Sequence, residues 1–393
     1  MPEPTLGLIM ILRNEQHNLP RSLAPVAGCF DEVVVADTGS SDHTAQMARD
    51  MGARVYDHRW GHDFAEARNF TISKAKADWL FWLDGDNAIG PNDVAALRRV
   101  LPAEGPMVLW ALERVVPGGE QLWQKRCFPN RPEVRFQGRV HEQLLHPSNW
   151  PQKATPVVVL HWGYQDKRRL AEKGRYYQGL LEQMLADDPE DFYAHFQLAR
   201  CRLNQREFTS ARRELEQVVG SGEAREINRE LWAHSHYLLA QVLDRQGEPA
   251  RAAAIFEQLL KQMPDHGLTL YQAGRLAYSH RDWPAAADYL GRAVAAGIGA
   301  PVVDAEPDKI MFLAYFFLGR SLAAQGRHAE AIAALGQATG RDPDNLAART
   351  ALAESLLARG DRAGARRELA HALALRPDDR RAAHLMAAAE RAA

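Results

Sequence analysis

The second half of this 393-residue chain carries a rhythm of small residues that few folds accommodate. Ala199, Ala240, Gly274, Gly319 and Ala353 are each followed twelve positions later by alanine, at Ala211, Ala252, Ala286, Ala331 and Ala365. Three of them have proline twenty-four positions on, at Pro264, Pro343 and Pro377. A small side chain lets two helices approach closely and proline ends a helix, so the repeating unit is a helical pair. Ala240 to Gly274 and Gly319 to Ala353 both span 34 residues, while insertions elsewhere lengthen the spacing to 41 and 45. Strand signals vanish beyond about Asp188, and about five such pairs fill residues 189–393.

The first half has a different rhythm. Short apolar runs at Leu6–Leu12, Glu32–Ala36, Arg54–His58, Trp79–Leu83, Met107–Leu112 and Val157–His161 end in polar clusters, as buried strands do. Between them lie helix-like stretches, Asp42–Met51 with Ser41 or Asp42 as cap and Ala65–Ala77. Strands alternating with helices predict an α/β domain over residues 1–165 with a largely parallel sheet. Ligands of such sheets gather outside the carboxyl ends of the strands, where the polar clusters fall. Residues 166–188 are charged, helical in period and poor in Pro, Gly and Ser, which predicts a rigid helical linker.

Composition narrows the function classes. With 46% hydrophobic and 25% charged residues the chain reads as soluble and globular, and a net charge of −2 gives no field to recruit nucleic acid. Cys29, Cys127 and Cys201 lie far apart with no metal-ligand spacing, which points to a reducing compartment. No apolar run reaches the roughly 18 to 20 residues that span a bilayer, and a cytoplasmic location is expected.

Three clusters carry chemistry. Asp84-Gly85-Asp86 follows an apolar strand; two carboxylates there can hold a hard divalent cation, or the segment is a plain turn. Asp37-Thr38-Gly39-Ser40-Ser41-Asp42 follows another strand, and Asp37 can accept hydrogen bonds from a base edge or a ribose hydroxyl. Leu12-Arg13-Asn14-Glu15 follows the first strand and is equally consistent with a surface turn.

Together, in chain order from Arg13-Asn14-Glu15 through Asp37–Asp42 to Asp84-Gly85-Asp86, the clusters resemble the inverting family-2 glycosyltransferases of GT-A fold. Asp63-Phe64-Ala65-Glu66-Ala67-Arg68-Asn69-Phe70 resembles a segment of the subgroup fused to C-terminal tetratricopeptide repeats, and the helical pairs resemble those repeats. Gly138-Arg139-Val140-His141-Glu142-Gln143-Leu144 and His161-Trp162-Gly163-Tyr164 fit the same subgroup. The resemblance is specific over residues 5–165 and covers the rest in outline. It implies a Rossmann-like GT-A nucleotide-sugar domain followed by an all-α repeat solenoid.

The resemblance also implies roles. Asp37 would contact the base, Asn14 and Glu15 the nucleoside, Arg68 the diphosphate or base, and Asp84 the ribose, while Asp86 would coordinate Mg²⁺ or Mn²⁺. Glu142 is the candidate base that accepts the acceptor's proton, unless it stands in an ion pair with Arg139 or another arginine; Glu113 is the weaker alternative. His141 joins Asp86 and Glu142 in the candidate catalytic set, and either His141 or His161 could supply a further metal ligand. Trp162 and Tyr164 would stack on a sugar or cover the sheet.

Because the first domain is short for its family, the repeats are the expected supplier of the acceptor site. Tyr193, Gln197, Tyr237, Tyr271 and Arg275 on first helices are candidate groove residues. The expected reaction is transfer from a UDP-hexose or UDP-N-acetylhexosamine to a protein or peptide side chain. The alternatives are a lipid-linked or lipopolysaccharide sugar acceptor, or a non-catalytic repeat scaffold. A homodimer is compatible with the repeats.

Overall fold

A computed structural model describes residues 3–102, 105–117, 121–162, 167–298 and 307–391. The chain divides into two compact units, Met1–Cys201 and Arg202–Ala393.

The first unit contains, in order, β1 (Leu6–Leu12), α1 (Leu19–Ser22), β2 (Glu32–Asp37), α2 (Thr44–Asp50), β3 (Arg54–Asp57), α3 (Phe64–Lys74), β4 (Trp79–Asp84), β5 (Asn87–Ala88) and α4 (Pro91–Val100). There follow β6 (Val108–Val115), β7 (Gln121–Pro129), β8 (Arg135–Gln137), β9 (Gln143–Leu145), β10 (Gln152–His161), α5 (Lys167–Asp187) and the start of α6 (Phe192–Asn204). One eight-stranded sheet runs β3-β2-β1-β4-β7-β6-β10-β5, and β8 pairs with β9. The expected largely parallel sheet is corrected to a mixed one. β3, β2, β1 and β4 are mutually parallel, but β7 is antiparallel to both β4 and β6. The reason is local: β6 and β7 are joined directly, and strands joined by a short connection pair antiparallel.

Strand alternation sorts the core. Leu8, Met10 and Leu12 of β1 with Phe81 and Leu83 of β4 face Leu19, Leu23, Val94 and Leu97. Ile9, Leu80 and Trp82 face the other side, with Ala65, Phe128, Phe136 and Leu144. A period of two therefore sends Asp84 to the Trp82 side of the sheet, beneath α3.

The segment Asp63–Phe70 becomes legible in this frame. Asp63 caps α3, its Oδ1 accepting the Glu66 amide at 2.9 Å, an arrangement of a kind that contributes about 1 kcal/mol. Buried Ala65 and Ala67 let the helix lie close on the sheet, and Asn69 grips β8 through both backbone groups of Phe136, at 2.9 and 2.8 Å. The cap of α2 is set one residue out: His43 occupies the N-cap position, and Asp42 Oδ1 accepts the Thr44 amide at 2.9 Å.

In the second unit α7 (Phe208–Gly220) is followed by α8 (Gly222–Ile227), α9 (Arg229–Arg245), α10 (Pro249–Gln262), α11 (Gly267–Ser279) and α12 (Trp283–Ala296). It ends in α13 (Pro307–Ala324), α14 (His328–Arg341), α15 (Leu346–Ala358), α16 (Arg362–Leu375) and α17 (Arg380–Glu390). The small residues stand where helices meet. A Cβ added at Gly274 of α11 would come within 2.6 Å of Leu290 of α12, and one at Gly319 of α13 within 2.5 Å of Leu335 of α14. Their partners Ala286 and Ala331, twelve residues on, are fully buried.

Candidate active site

The carboxyl ends of β1, β2, β4 and β10 bring the sequence-derived residues into place. Glu15 follows β1, Asp37 ends β2, Asp84 ends β4, and Asp86 and His161 are drawn together because β5 pairs with β10, His161 opposite Asn87. Asp86 Oδ1 lies 3.6 Å from His161 Nδ1.

Arg68 is the hub. Its Nη2 donates to Asp84 Oδ1 at 2.8 Å and its Nε to Glu142 Oε1 at 2.5 Å, while the guanidinium lies 4.0 Å from the Trp82 ring centroid. Only 4% of Arg68 is exposed. Burial disfavours its charge, but Asp84 and Glu142 outweigh that and raise its pKa, so it is a permanent cation. Glu142 thus stands in an ion pair with an arginine other than Arg139, which instead reaches Asp187 at 2.9 Å.

A second buried arginine, which the sequence did not single out, also lies over Trp82. Arg126 lies 3.6 Å from the same ring centroid, donates to Asn87 Oδ1 at 3.1 Å and pairs with Glu113. Glu113, the weaker alternative base, is thus paired with Arg126 as Glu142 is with Arg68. Only the odd–even alternation of β4 hinted at Trp82, and Arg126 sits in a half-polar strand that gave no signal.

The carboxylates differ sharply. Asp84 is desolvated, yet the fields of Arg68 and Arg126 carry its carboxyl below the ordinary range, and 36% of its side chain stays open. Burial and then Asp84 push Asp86 upward. Burial raises Glu15 against an Asn18 hydrogen bond, with Asp86 and Asp84 adding to the rise. Gly85 makes room for Glu15, whose Cγ would lie 2.5 Å from a Cβ there. The Lys173 ammonium of α5 tempers all three carboxylates.

Other expectations take different forms. Asp37 spends its carboxylate on its own turn, accepting from the Ser40 amide at 3.2 Å and hydroxyl at 2.5 Å. Asn14, at φ 57°, clamps that turn: its Oδ1 accepts the Ser41 amide at 2.8 Å. His141, at φ 53°, is held neutral, its pKa lowered to about 4 by burial and then by Arg200 and Lys173. Trp162 stacks with Arg21 at 4.8 Å, and Gly163 and Tyr164 lie outside the described residues. Tyr193 and Gln197 belong to the first unit, where the Tyr193 hydroxyl bonds Gln143 and Gln197.

Among the described residues no group of three or more His, Cys, Asp or Glu side chains is arranged to hold a metal by itself. Asn87 links Arg126, the Asp84 amide and His161. Its Oδ1 faces the donors Arg126 and the Asp84 amide, so its Nδ2 points at His161 Nδ1, 2.9 Å away.

The family-2 glycosyltransferase profile matches residues 8–157, and tetratricopeptide-repeat profiles match 178–226, 237–301 and 322–389. A tetratricopeptide-repeat-containing protein of Synechococcus elongatus is 33% identical over 293 residues, 70% of this chain and 71% of that protein. This chain belongs to the family-2 glycosyltransferases carrying tetratricopeptide repeats. The prophage-derived glycosyltransferase SunS of Bacillus subtilis is 28% identical over 206 residues, 48% of this transferase and 47% of SunS, about half its length. Among solved structures, YrrB, a tetratricopeptide-repeat protein, aligns with a TM-score of 0.42 at 21% identity, over 52% of this chain and 96% of that one. The transferase's described residues include no helix long and apolar enough to cross a membrane.

Proposed function

We propose that this transferase moves a hexose or N-acetylhexosamine from a UDP-sugar, with inversion, to a protein or peptide side chain presented by the repeats. The observation that carries the reading is the convergence of Glu15, Asp84 and Asp86 with buried Arg68 at the carboxyl ends of β1 and β4. Glu15 and Asp37 serve the nucleoside, with Asn14 holding the Asp37 turn in shape. Arg68 faces the diphosphate, and Asp84 accepts ribose hydroxyls through its open side chain.

Asp86, with His161 beside it, would hold Mn²⁺ or Mg²⁺, which when bound offsets the charge of the departing diphosphate as a Lewis acid. Asp86 must be ionised to bind it, and its elevated pKa makes that binding acid-sensitive. Glu142 accepts the proton of the attacking side chain. Its Oε1 accepts a hydrogen bond from Arg68 Nε, which holds the carboxylate in position.

Titration calorimetry with UDP, UDP-glucose and UDP-N-acetylglucosamine, each with Mn²⁺ and with EDTA, tests the donor half. Metal-dependent binding that is lost in Asp86→Ala is the expected result. Absence of binding by all three, with or without metal, overturns the proposal.

A further inference from the structure

Asn18 stands at a helix start, but its side chain does not serve the helix. It holds the N-cap position of α1, where an asparagine oxygen ordinarily accepts an amide of the first turn, yet it makes no such bond. Both ends of its amide are engaged elsewhere. Oδ1 accepts from Arg21 Nη2 at 2.5 Å, and Nδ2 donates to Glu15 Oε2 at 2.5 Å. The turn from Glu15 to Asn18 is closed without them: the Asn18 and Leu19 amides donate to the Glu15 carbonyl at 2.8 and 3.1 Å. The Glu15 amide is fixed as well, donating to buried Thr44 Oγ1 at 2.7 Å. The backbone here does not need the side-chain chain Arg21–Asn18–Glu15.

That chain continues at its far end. The Arg21 guanidinium lies 4.8 Å from the Trp162 ring centroid, and the Trp162 amide donates to the Asp86 carbonyl at 3.0 Å. The line therefore leaves the loop after β1, reaches the exit of β10 and returns to the carboxylates after β4. Glu15 itself is half-buried and packs over Gly85, with Asp84 and Asp86 opposing its charge. Without a donor at Oε2, that repulsion would turn the carboxylate away. Among the described residues its other oxygen, Oε1, accepts no hydrogen bond. A carboxylate held by one oxygen keeps the second as an acceptor of fixed direction.

We propose that Asn18, braced by Arg21, is a positioning residue for the donor: it fixes Glu15 Oε2 so that Oε1 accepts a hydrogen bond from the nucleoside. The proposal rests on the reading of Glu15 as a nucleoside ligand and adds a residue that acts through it. Aspartate separates this role from a structural one. Asn and Asp serve turns and helix starts about equally well, and Asp can still accept from Arg21. Only the bond to Glu15 needs an N–H, which an aspartate lacks.

The test is calorimetric titration of the full chain with UDP in Mn²⁺, with thermal melting of each variant. Asn18→Asp is expected to melt cooperatively yet bind UDP at least about tenfold more weakly, as loss of a hydrogen bond to a charged group predicts. Asn18→Ala should also weaken binding, and it carries the test if the aspartate variant fails to fold. Glu15→Ala should weaken UDP too, and adding either Asn18 variant to it should then cost under about twofold. Arg21→Gln should cost about threefold, and nothing further once Asn18 is alanine.

Unchanged UDP affinity in Asn18→Asp, or losses at Asn18 and Glu15 that simply add, overturns the positioning role and leaves the donor reading standing. Unchanged affinity in Glu15→Ala removes Glu15 from the nucleoside, and Asn18 with it. No UDP binding by the unsubstituted chain overturns both the proposal and the donor reading beneath it.

Discussion

The carboxylates after β4 carry charge that the fold does not fully compensate, since burial and Asp84 hold the Asp86 carboxyl above its ordinary range. A carboxyl raised in the folded state binds protons more readily there than in the unfolded chain. It therefore lowers stability as pH rises through that window, and the deficit persists at neutral pH. Asp86→Asn is expected to raise the melting temperature by a few degrees, about 1 kcal/mol, while abolishing metal-dependent donor binding. Thermal melting beside calorimetry checks both halves, and retained metal-dependent binding would sink the assignment. Arg68 is constrained from both sides, by Asp84 and Glu142 through hydrogen bonds and by Trp82 through stacking. Trp82→Ala removes the ring that both buried arginines lie over and should cost about 3 to 5 kcal/mol in chemical denaturation. A loss under about 1 kcal/mol would show that these ring contacts contribute little.

At the scale of elements, the loop between β8 and β9 does several jobs with adjacent residues. Gly138 takes φ 103°, the Arg139 carbonyl accepts the Phe64 amide at 2.9 Å, Val140 packs with Leu180, Leu181 and Leu198, and Glu142 reaches Arg68. His141 between them is neutral because of burial, Arg200 and Lys173, so the folded state declines a proton that the unfolded chain accepts. Its contribution is complete above about pH 6.5 and is lost as pH falls toward about 4, up to about 3 kcal/mol. Denaturant midpoints measured across that range should fall with pH in the unsubstituted chain and fall less in His141→Gln. In the repeats, Gly274→Ala brings a methyl within 2.6 Å of Leu290 and should destabilise by about 1 to 3 kcal/mol. Alanine at the equivalent Ala240 and Ala353 is accommodated natively, so an unchanged midpoint would mean that α12 shifts freely.

For the molecule as a whole, the first compact unit runs to Cys201, because α5 and α6 bury Leu180, Leu181, Ala194 and Leu198 against Val140. A chain ending at Cys201 should fold, melt cooperatively and retain metal-dependent donor binding, yet lose transfer to its acceptor. Full-rate transfer by that truncation would exclude the repeats as acceptor module. Much of this organisation was legible in residue patterns, because strand and helix periods and the twelve-residue small-residue spacing are local properties. β1 was read to the residue, and the polar clusters after β1, β2 and β4 do lie at strand carboxyl ends. β7 escaped because its first half is polar and exposed, and β5, of two residues, is too short to have a period.

Which side chains meet was decided only by tertiary structure. Arg68 could have paired with any nearby acid; it takes Glu142, 74 residues away, because α3 and the segment before β9 lie on the same face of β4. Glu113 was left with Arg126 because β6 and β7 are hairpin partners, a pairing that composition does not announce. The sequence by itself determined the elements, their order and the chemistry available at each strand end, since these depend on neighbours a few residues apart. Strand order and burial decided which carboxylate is open and which is spent on an arginine, since charge is expressed through distance and dielectric.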